Sequence, residues 1–140
     1  MKIQLTIAIF LLILISASMA AAQQAQAKTP IVPEADGFVV LPKAAVQIDK
    51  RHVYRAIWNA TSDADGPKEL VPALNMLGSE LNAFAVSGVP LSNAKFLIVF
   101  HGPSVNGLYD DANYKAKFGV PNPNLKVLSE LRKAGVEIYV

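Results

Sequence analysis

The feature that most constrains the fold is an unbroken apolar run in the middle of the chain, residues 96–100. Five residues are too few for a typical helix, and apolar side chains at every position fit a strand that is buried on both faces. Such strands are typical of parallel sheets covered by helices on both sides. The run therefore predicts an α/β domain with three layers, α/β/α, and a mainly parallel sheet.

The segments before this run alternate between strand and helix patterns. Residues 53–58 combine β-branched and aromatic side chains and predict a strand. Apolar residues then recur at helical spacing, at Leu70, Leu74, Leu77, Leu81 and Phe84. They predict an amphipathic helix that ends near Gly88 and leads into a strand over residues 94–100.

The segments after the run continue the alternation. Residues 108–118 predict a short helix closed by Gly119. The clearest helix spans residues 123–134, with Asn122 at its N-cap and Pro123 at its first position. Residues 136–140 predict a third strand. The order of strands and helices indicates right-handed crossovers between parallel strands.

The alternation stops with this third strand, at Val140. A sheet of three strands offers too little surface for helices to pack on both of its faces. A terminal carboxylate would also lie at the rim of an apolar sheet. We therefore expect the domain to be incomplete at its carboxyl end, as a fragment, a premature stop or an expression boundary would make it.

The amino end has the three-part layout of a secretory signal peptide. Lys2 supplies a positive charge, residues 7–15 are all apolar, and small residues follow up to Ala22. We expect residues 1–22 to be a cleaved signal, residues 23–36 a flexible tether, and residues 37–140 the globular domain. The protein is then secreted, into the periplasm of a bacterium, with no membrane attachment after cleavage.

Charge and cysteine content exclude several functions. The chain carries 13 basic and 11 acidic residues with no basic block, so we expect no nucleic-acid partner. It contains no cysteine, which removes a disulfide framework, a thiolate metal site and a thiol nucleophile. The only histidines, His52 and His101, are expected at opposite edges of the sheet. We predict no metal site and no cofactor.

Several short motifs occur in a specific order from residue 43 onward. They are His101-Gly102-Pro103 directly after an apolar strand, Leu-Tyr-Asp-Asp-Ala-Asn-Tyr at 108–114, Phe118-Gly119-Val120, Asn122-Pro123-Asn124-Leu125, and Leu-Arg-Lys-Ala-Gly-Val-Glu-Ile-Tyr-Val at 131–140. In this order and spacing, the chain resembles the secreted branch of the DsrE/DsrF-like family. The resemblance implies a three-layer α/β/α fold and relatives that carry sulfur as a cysteine persulfide, often as oligomers. In that branch a cysteine typically follows the strand that matches residues 136–140.

The candidate site lies where the second strand ends, because α/β sheets bind ligands at the carboxyl ends of their strands. His101 is the candidate acid, base or orienting group there, and Gly102 and Pro103 are candidate binding residues that shape the turn. The alternative for His101 is a loop histidine that bonds the backbone. The acid pair Asp110 and Asp111 is assigned to the start of a helix.

Three further residues receive structural assignments. His52 is predicted to be a surface residue, and Trp58 and Tyr139 are predicted to be core or near-core aromatics.

Together these observations lead to one functional expectation and two alternatives. The chain is expected to be an exported DsrE-like domain whose intact form relays sulfur or binds a small sulfur species. Its partners would be further copies or a sulfur-carrier protein. Without a cysteine the chain as given is expected to be inactive as an enzyme. The alternatives are a non-catalytic periplasmic module for oligomerisation or partner binding, and a non-functional fragment.

Overall fold

The computed structural model describes residues 30–38, 41 and 43–140. Its strands and α-helices are β1 (Tyr54–Ala60), α1 (Pro72–Val86), β2 (Ala94–Phe100), α2 (Asp111–Phe118), α3 (Asn124–Lys133) and β3 (Glu137–Tyr139). Two 3-10 helices, Leu91–Asn93 and Gly102–Leu108, precede and follow β2. The predicted signal peptide, residues 1–22, lies outside the described residues.

The three strands form one parallel sheet in the order β1-β2-β3. Tyr54 pairs with Ala94 at one end of β1 and Ala60 with Phe100 at the other, so β1 and β2 end together. The shorter β3 pairs with the middle of β2, where Leu97 lies beside Glu137. The predicted α/β class with a parallel sheet is confirmed.

The helix ends follow from local capping residues, although α2 begins three residues later than predicted, at Asp111. Pro72 begins α1, and Asp110 caps α2 by accepting a hydrogen bond from the N–H of Asn113 at 2.8 Å. Gly119 closes α2 with a φ of 79°, which a side chain would disfavour. The last helix, α3, is assigned from Asn124, one residue later than predicted, but Pro123 already has helical dihedrals (φ −68°, ψ −19°). The side-chain oxygen of Asn122 accepts a hydrogen bond from the N–H of Asn124 at 2.9 Å, so Asn122 caps this helix as predicted.

The helices cover one face of the sheet. Alternate residues of β2 are buried there against the leucines of α1, and α1 contacts β1, β2 and α3. The fully buried side chains of this core include Leu74, Leu77, Leu81, Ile98, Phe100, Val127 and Leu131. The core lies between the sheet and the helical layer, and α1 and α3 exclude water from it together.

The opposite face of the sheet is uncovered by the residues that the structure describes. This open face consists of Arg55, Ile57, Asn59, Lys95, Leu97, Val99, Glu137 and Tyr139. Ile57 is 71% exposed, and Leu97 and Val99 are only half-buried. The prediction that residues 96–100 are buried on both faces is therefore wrong for the described chain. The predicted third layer has no counterpart among these residues.

The segment before the domain packs more closely than the sequence predicts. Val32 is fully buried, and its N–H and C=O both bond the side chain of Asn82 at 2.9 Å. Asp36 bonds the side chain of Asn75 in the same helix, α1. The prediction of a flexible tether up to residue 36 is wrong for residues 31–36, which belong to the packed domain.

Charged side chains also join this segment to α3. The ammonium of Lys126 donates a hydrogen bond to Glu34, and this bond lowers the pKa of Glu34. Glu130 lies beside the same pair. Burial of its carboxyl group, followed by its hydrogen bond with Glu34, raises the pKa of Glu130. The segment is therefore held at α1 by asparagines and at α3 by charges.

Candidate functional site

The carboxyl ends of β1 and β2 are joined by one buried hydroxyl group. The Oγ of Ser104 donates to the carbonyl of Ala60 at 2.6 Å and accepts from the N–H of His101 at 3.1 Å. That N–H also donates to the carbonyl of Ala60 at 2.8 Å. Ser104 is fully buried, so these bonds are shielded from water and hold the two strand ends together.

His101, Gly102 and Pro103 lie where the sequence places them, directly past the end of β2, and all three are exposed. Gly102 has a φ of 54°, in the left-handed region that favours glycine. No atom lies within 4 Å of the position where a Cβ would be, so the backbone angle and not crowding requires glycine here. The three residues form an accessible turn at the edge of the sheet.

This turn leads into a 3-10 helix that sequence reasoning missed. Residues 102–108 form the helix, whereas the sequence predicted a turn at Gly102 and Pro103 and a helix only from Leu108 onward. The following α-helix begins later, at Asp111. Pro103 fixes φ near the value that both helix types use, which favours an immediate turn after β2.

A row of three polar side chains lies at the same edge, and we call it the polar row. The amide of Asn106 donates to the carboxylate of Asp63 at 2.5 Å, and its oxygen accepts from the ammonium of Lys117 at 2.7 Å. Asp63 follows β1 and Asn106 follows β2. Asp63 lies three residues after β1, and a polar residue so close to the carboxyl end of a strand is a sequence signal for this site.

Aromatic side chains surround the polar row. The Nζ of Lys117 lies 5.3 Å from the ring centroids of both Tyr109 and Phe118. Tyr114 is buried and donates its hydroxyl hydrogen to the carbonyl of Pro67 at 3.2 Å. Burial, with a smaller effect of the Asp63 carboxylate, raises the pKa of Tyr114. These contacts restrict the ammonium of Lys117, while the residue as a whole remains exposed.

Two buried asparagines hold the loops beneath this edge. The amide of Asn122 donates to the carbonyls of Gly107 and Tyr109, at 3.0 and 2.6 Å. Its oxygen accepts from the N–H of Asn124, whose own oxygen accepts from the N–H of Val71. Asn122 therefore has two roles: its oxygen caps α3, and its amide ties the 3-10 helix to the start of α3.

The remaining candidates lie apart from this edge. His52 precedes β1 and is exposed, with its ring 4.8 Å from that of Tyr54. Asp111 accepts from the N–H of Asn122, whereas Asp110 caps its own helix, so the two carboxylates have separate structural roles. Tyr139 is 50% exposed, and the prediction of a near-core position is wrong for it.

Trp58 packs against the core, with its ring 4.9 Å from that of Phe96, as predicted.

The side chains at this edge can donate and accept hydrogen bonds, and none of them is a thiol. Its groups are an imidazole, an ammonium, a carboxylate and amides, and the 140-residue chain has no thiol. In the described part of the chain, no three acidic or histidine side chains gather where a metal ion could bind. Nor does any helix described there have the length and apolar character needed to span a bilayer. No family model, curated protein or solved structure matches this chain.

Proposed function

We propose that this protein is an exported DsrE-like domain that binds a small sulfur species, or a persulfide on a carrier protein, at the carboxyl edge of its sheet. The observation that carries the proposal is the exposed turn at His101, Gly102 and Pro103, directly after β2 and held to the end of β1 through Ser104. This is where a parallel α/β sheet presents its ligand site. The motif resemblance supplies the sulfur class of ligand.

The proposed role is non-covalent. A persulfide forms when a thiolate attacks a sulfane sulfur atom, and no side chain of this chain provides that thiolate. His101 and Lys117 offer donors for the oxygen atoms or the negative charge of a sulfur oxyanion. In the three-layer fold of the resembled family, helices would also cover the open face, and no described residue does so. The proposal therefore uses only the carboxyl edge of the sheet and not the third layer.

Titration of the isotope-labelled protein with thiosulfate tests the proposal by NMR. We expect the amide signals of Gly102, Ser104 and Asn106 to shift in a saturable way, and His101→Ala to weaken binding by about 10-fold if the imidazole is a direct donor. His52→Ala is the matched control, because it removes the chain's other exposed histidine from the far end of β1. It should leave the titration unchanged.

Intact mass after incubation with a small persulfide gives a second readout. No sulfur adduct should form on the wild-type chain. A stable adduct of one sulfur atom would refute the non-covalent role, and thiosulfate shifts that His101→Ala leaves unchanged would refute the site.

The alternative function is a non-catalytic module that binds a protein partner through the same edge. The thiosulfate titration also distinguishes this protein-binding module from the sulfur-binding domain. A module of this kind would show no saturable response to thiosulfate, whereas the sulfur-binding domain must show one.

A further inference from the structure

The open face has a regular arrangement of side chains that follows from the strand register. Arg55 and Lys95 form the first row across the sheet. Ile57, Leu97 and Glu137 form the second row, and Asn59, Val99 and Tyr139 form the third. Leu97 is at the centre of this pattern, with Lys95 one row away along its own strand and Glu137 beside it on the next strand.

The centre of the open face is apolar and accessible. Ile57 is 71% exposed, and a shallow depression of about 410 Å³ lies over Ile57 and Leu97, bordered by Arg55, Lys95 and Glu137. Apolar sheet surface of this kind is normally covered in a folded protein. The charges at the border are of both signs, so the face is complementary to a surface with the same arrangement.

A second copy of the chain has that arrangement, and its charges select one orientation. A two-fold axis between the sheets can set the strands of the two copies parallel, antiparallel or crossed. Parallel strands place Glu137 of one copy over Ile57 of the other, which buries a carboxylate against an apolar group. Antiparallel strands place Glu137 over Glu137 of the other copy. Both orientations are unfavourable.

Strands can cross along either diagonal of the face. One diagonal places Lys95 of each copy over Ile57 of the other and Glu137 over Val99, which is unfavourable for the same reason. The other diagonal pairs the charges with each other and the apolar side chains with each other. It places Lys95 of each copy over Glu137 of the other, Leu97 over Leu97 and Ile57 over Val99. Arg55 then lies over the ring of Tyr139 of the second copy, a cation–π geometry. Strands spaced by about 4.8 Å and rows spaced by about 6.6 Å keep each of these pairs within about 3 Å of direct superposition. Crossed sheets near 90° are a common packing class.

We propose that the open face is the interface of a symmetric homodimer with crossed sheets. Three strands and three rows give a footprint of about 14 by 20 Å on each copy. This is smaller than the roughly 800 Å² per partner of a stable interface, so the dimer forms weakly, with a dissociation constant on the order of 100 µM. The proposal uses a different surface from the sulfur-binding edge and does not depend on it.

Sedimentation velocity over a hundredfold range of protein concentration, up to about 1 mM, tests the dimer. We expect reversible dimers in the wild type and only monomers in Ile57→Asp, because the substitution places a charge against Val99 of the second copy. Met76→Asp is the matched control. Met76 is 65% exposed on α1, away from the open face, and its substitution should leave association unchanged.

Charge reversal tests the orientation. Lys95→Glu and Glu137→Lys should each weaken association about 10-fold by creating like-charge contacts, and the double variant should restore it. Circular dichroism confirms that each variant is folded. A wild type that stays monomeric throughout the range would overturn the proposal, and so would a dimer that Ile57→Asp leaves intact. A double variant as weak as the single variants would overturn the crossed orientation.

Cross-linking provides a second measurement, since the chain has no cysteine of its own. In the crossed dimer Asn59 faces Asn59 of the second copy, whereas two Arg55 residues are separated by about 16 Å across the face. A short bismaleimide should therefore link Asn59→Cys dimers and leave Arg55→Cys unlinked. Linking of Arg55→Cys alone would contradict the orientation.

Discussion

Gly78→Ala tests whether residues 31–36 pack on α1. If they do, the substitution lowers the free energy of unfolding; if they do not, it raises it. Gly78 lies in the middle of α1, where it is buried beneath this segment. A Cβ at this position would lie 2.6 Å from the Cβ of Ala35 and 3.0 Å from Cγ1 of Val32. The contact with Ala35 involves an atom bonded directly to the backbone, so no rotamer change can relieve it and the segment must move.

Two effects of Gly78→Ala oppose each other. Replacing glycine by alanine within a helix stabilises it by about 1 kcal/mol. Inserting a methyl group into a packed contact destabilises the fold by about 1–3 kcal/mol. We expect the contact to dominate, because Val32 is held by two hydrogen bonds to Asn82 and cannot retreat freely. The net result is a loss of about 1 kcal/mol in the free energy of unfolding.

Urea unfolding monitored by the fluorescence of Trp58 measures this loss, since it is the only tryptophan. Comparison of Glu80→Ala with Glu80→Gly gives the Gly-to-Ala difference at an exposed position of the same helix, about 1 kcal/mol in favour of alanine. Ala35→Gly should rescue Gly78→Ala with a coupling energy of about 1 kcal/mol or more. If Gly78→Ala is as stabilising as alanine at position 80, residues 31–36 do not pack on α1.

Three further substitutions test the site and its supports by urea unfolding. Ser104→Ala should cost about 1–3 kcal/mol by unpairing buried groups at both strand ends, whereas Ser129→Ala, at an exposed position, should have almost no effect. Asn122→Ala should cost at least about 2 kcal/mol, since it unpairs two carbonyls, the backbone N–H of Asn124 and the side-chain amide of Asn124; a loss below about 0.5 kcal/mol would contradict its bridging role. Because the folded state raises the pKa of Glu130 above its usual 4.5, ionisation of this group opposes folding as the pH rises past that value. Glu130→Gln should therefore raise the urea midpoint at pH 7 and change it little at pH 4, and an equal shift at both pH values would contradict this reasoning.

The sequence predicted the elements that depend on neighbouring residues. Gly119 closes α2 as expected, because capping is a contact within one turn of the chain, whereas the start of α2 lies at Asp111 and not at Leu108 as predicted. The parallel sheet followed from the alternation of strands and helices. The last helix is capped by Asn122 as predicted, and its assigned start differs from the predicted one by a single residue, within the usual uncertainty of helix ends.

The sequence failed where a contact joins distant segments. Residues 31–36 have the composition of a linker, and their packing depends on Asn82 and on the small size of Gly78, more than 40 positions away. The polar row likewise joins Asp63 to Asn106 across 43 positions. Hydrophobic periodicity carries no information about such pairs, since it describes only which face of an element is buried.

The open face was mispredicted because one strand was considered without its neighbours. Residues 96–100 are all apolar, which indicates burial on both sides. The strand beside them alternates, and its outward positions include Arg55 and Asn59. All strands of a sheet contribute to the same face. Polar residues such as Arg55 and Asn59 at the outward positions of β1 therefore already indicated that this face is not fully buried.

The open face, proposed for dimerisation, and the carboxyl edge at His101, proposed for ligand binding, are separate surfaces because of the pleat of β1. Successive side chains of a strand lie on opposite faces, so Asn59 belongs to the open face and Ala60 to the core. The backbone of Ala60 continues to the edge, where its carbonyl bonds Ser104 and His101. A second copy on the open face thus covers side chains that alternate with the core, and the turn at His101 lies beyond the end of both strands. The proposed dimerisation and the proposed ligand binding can therefore occur in the same molecule, and a dimer would present two copies of the edge at His101.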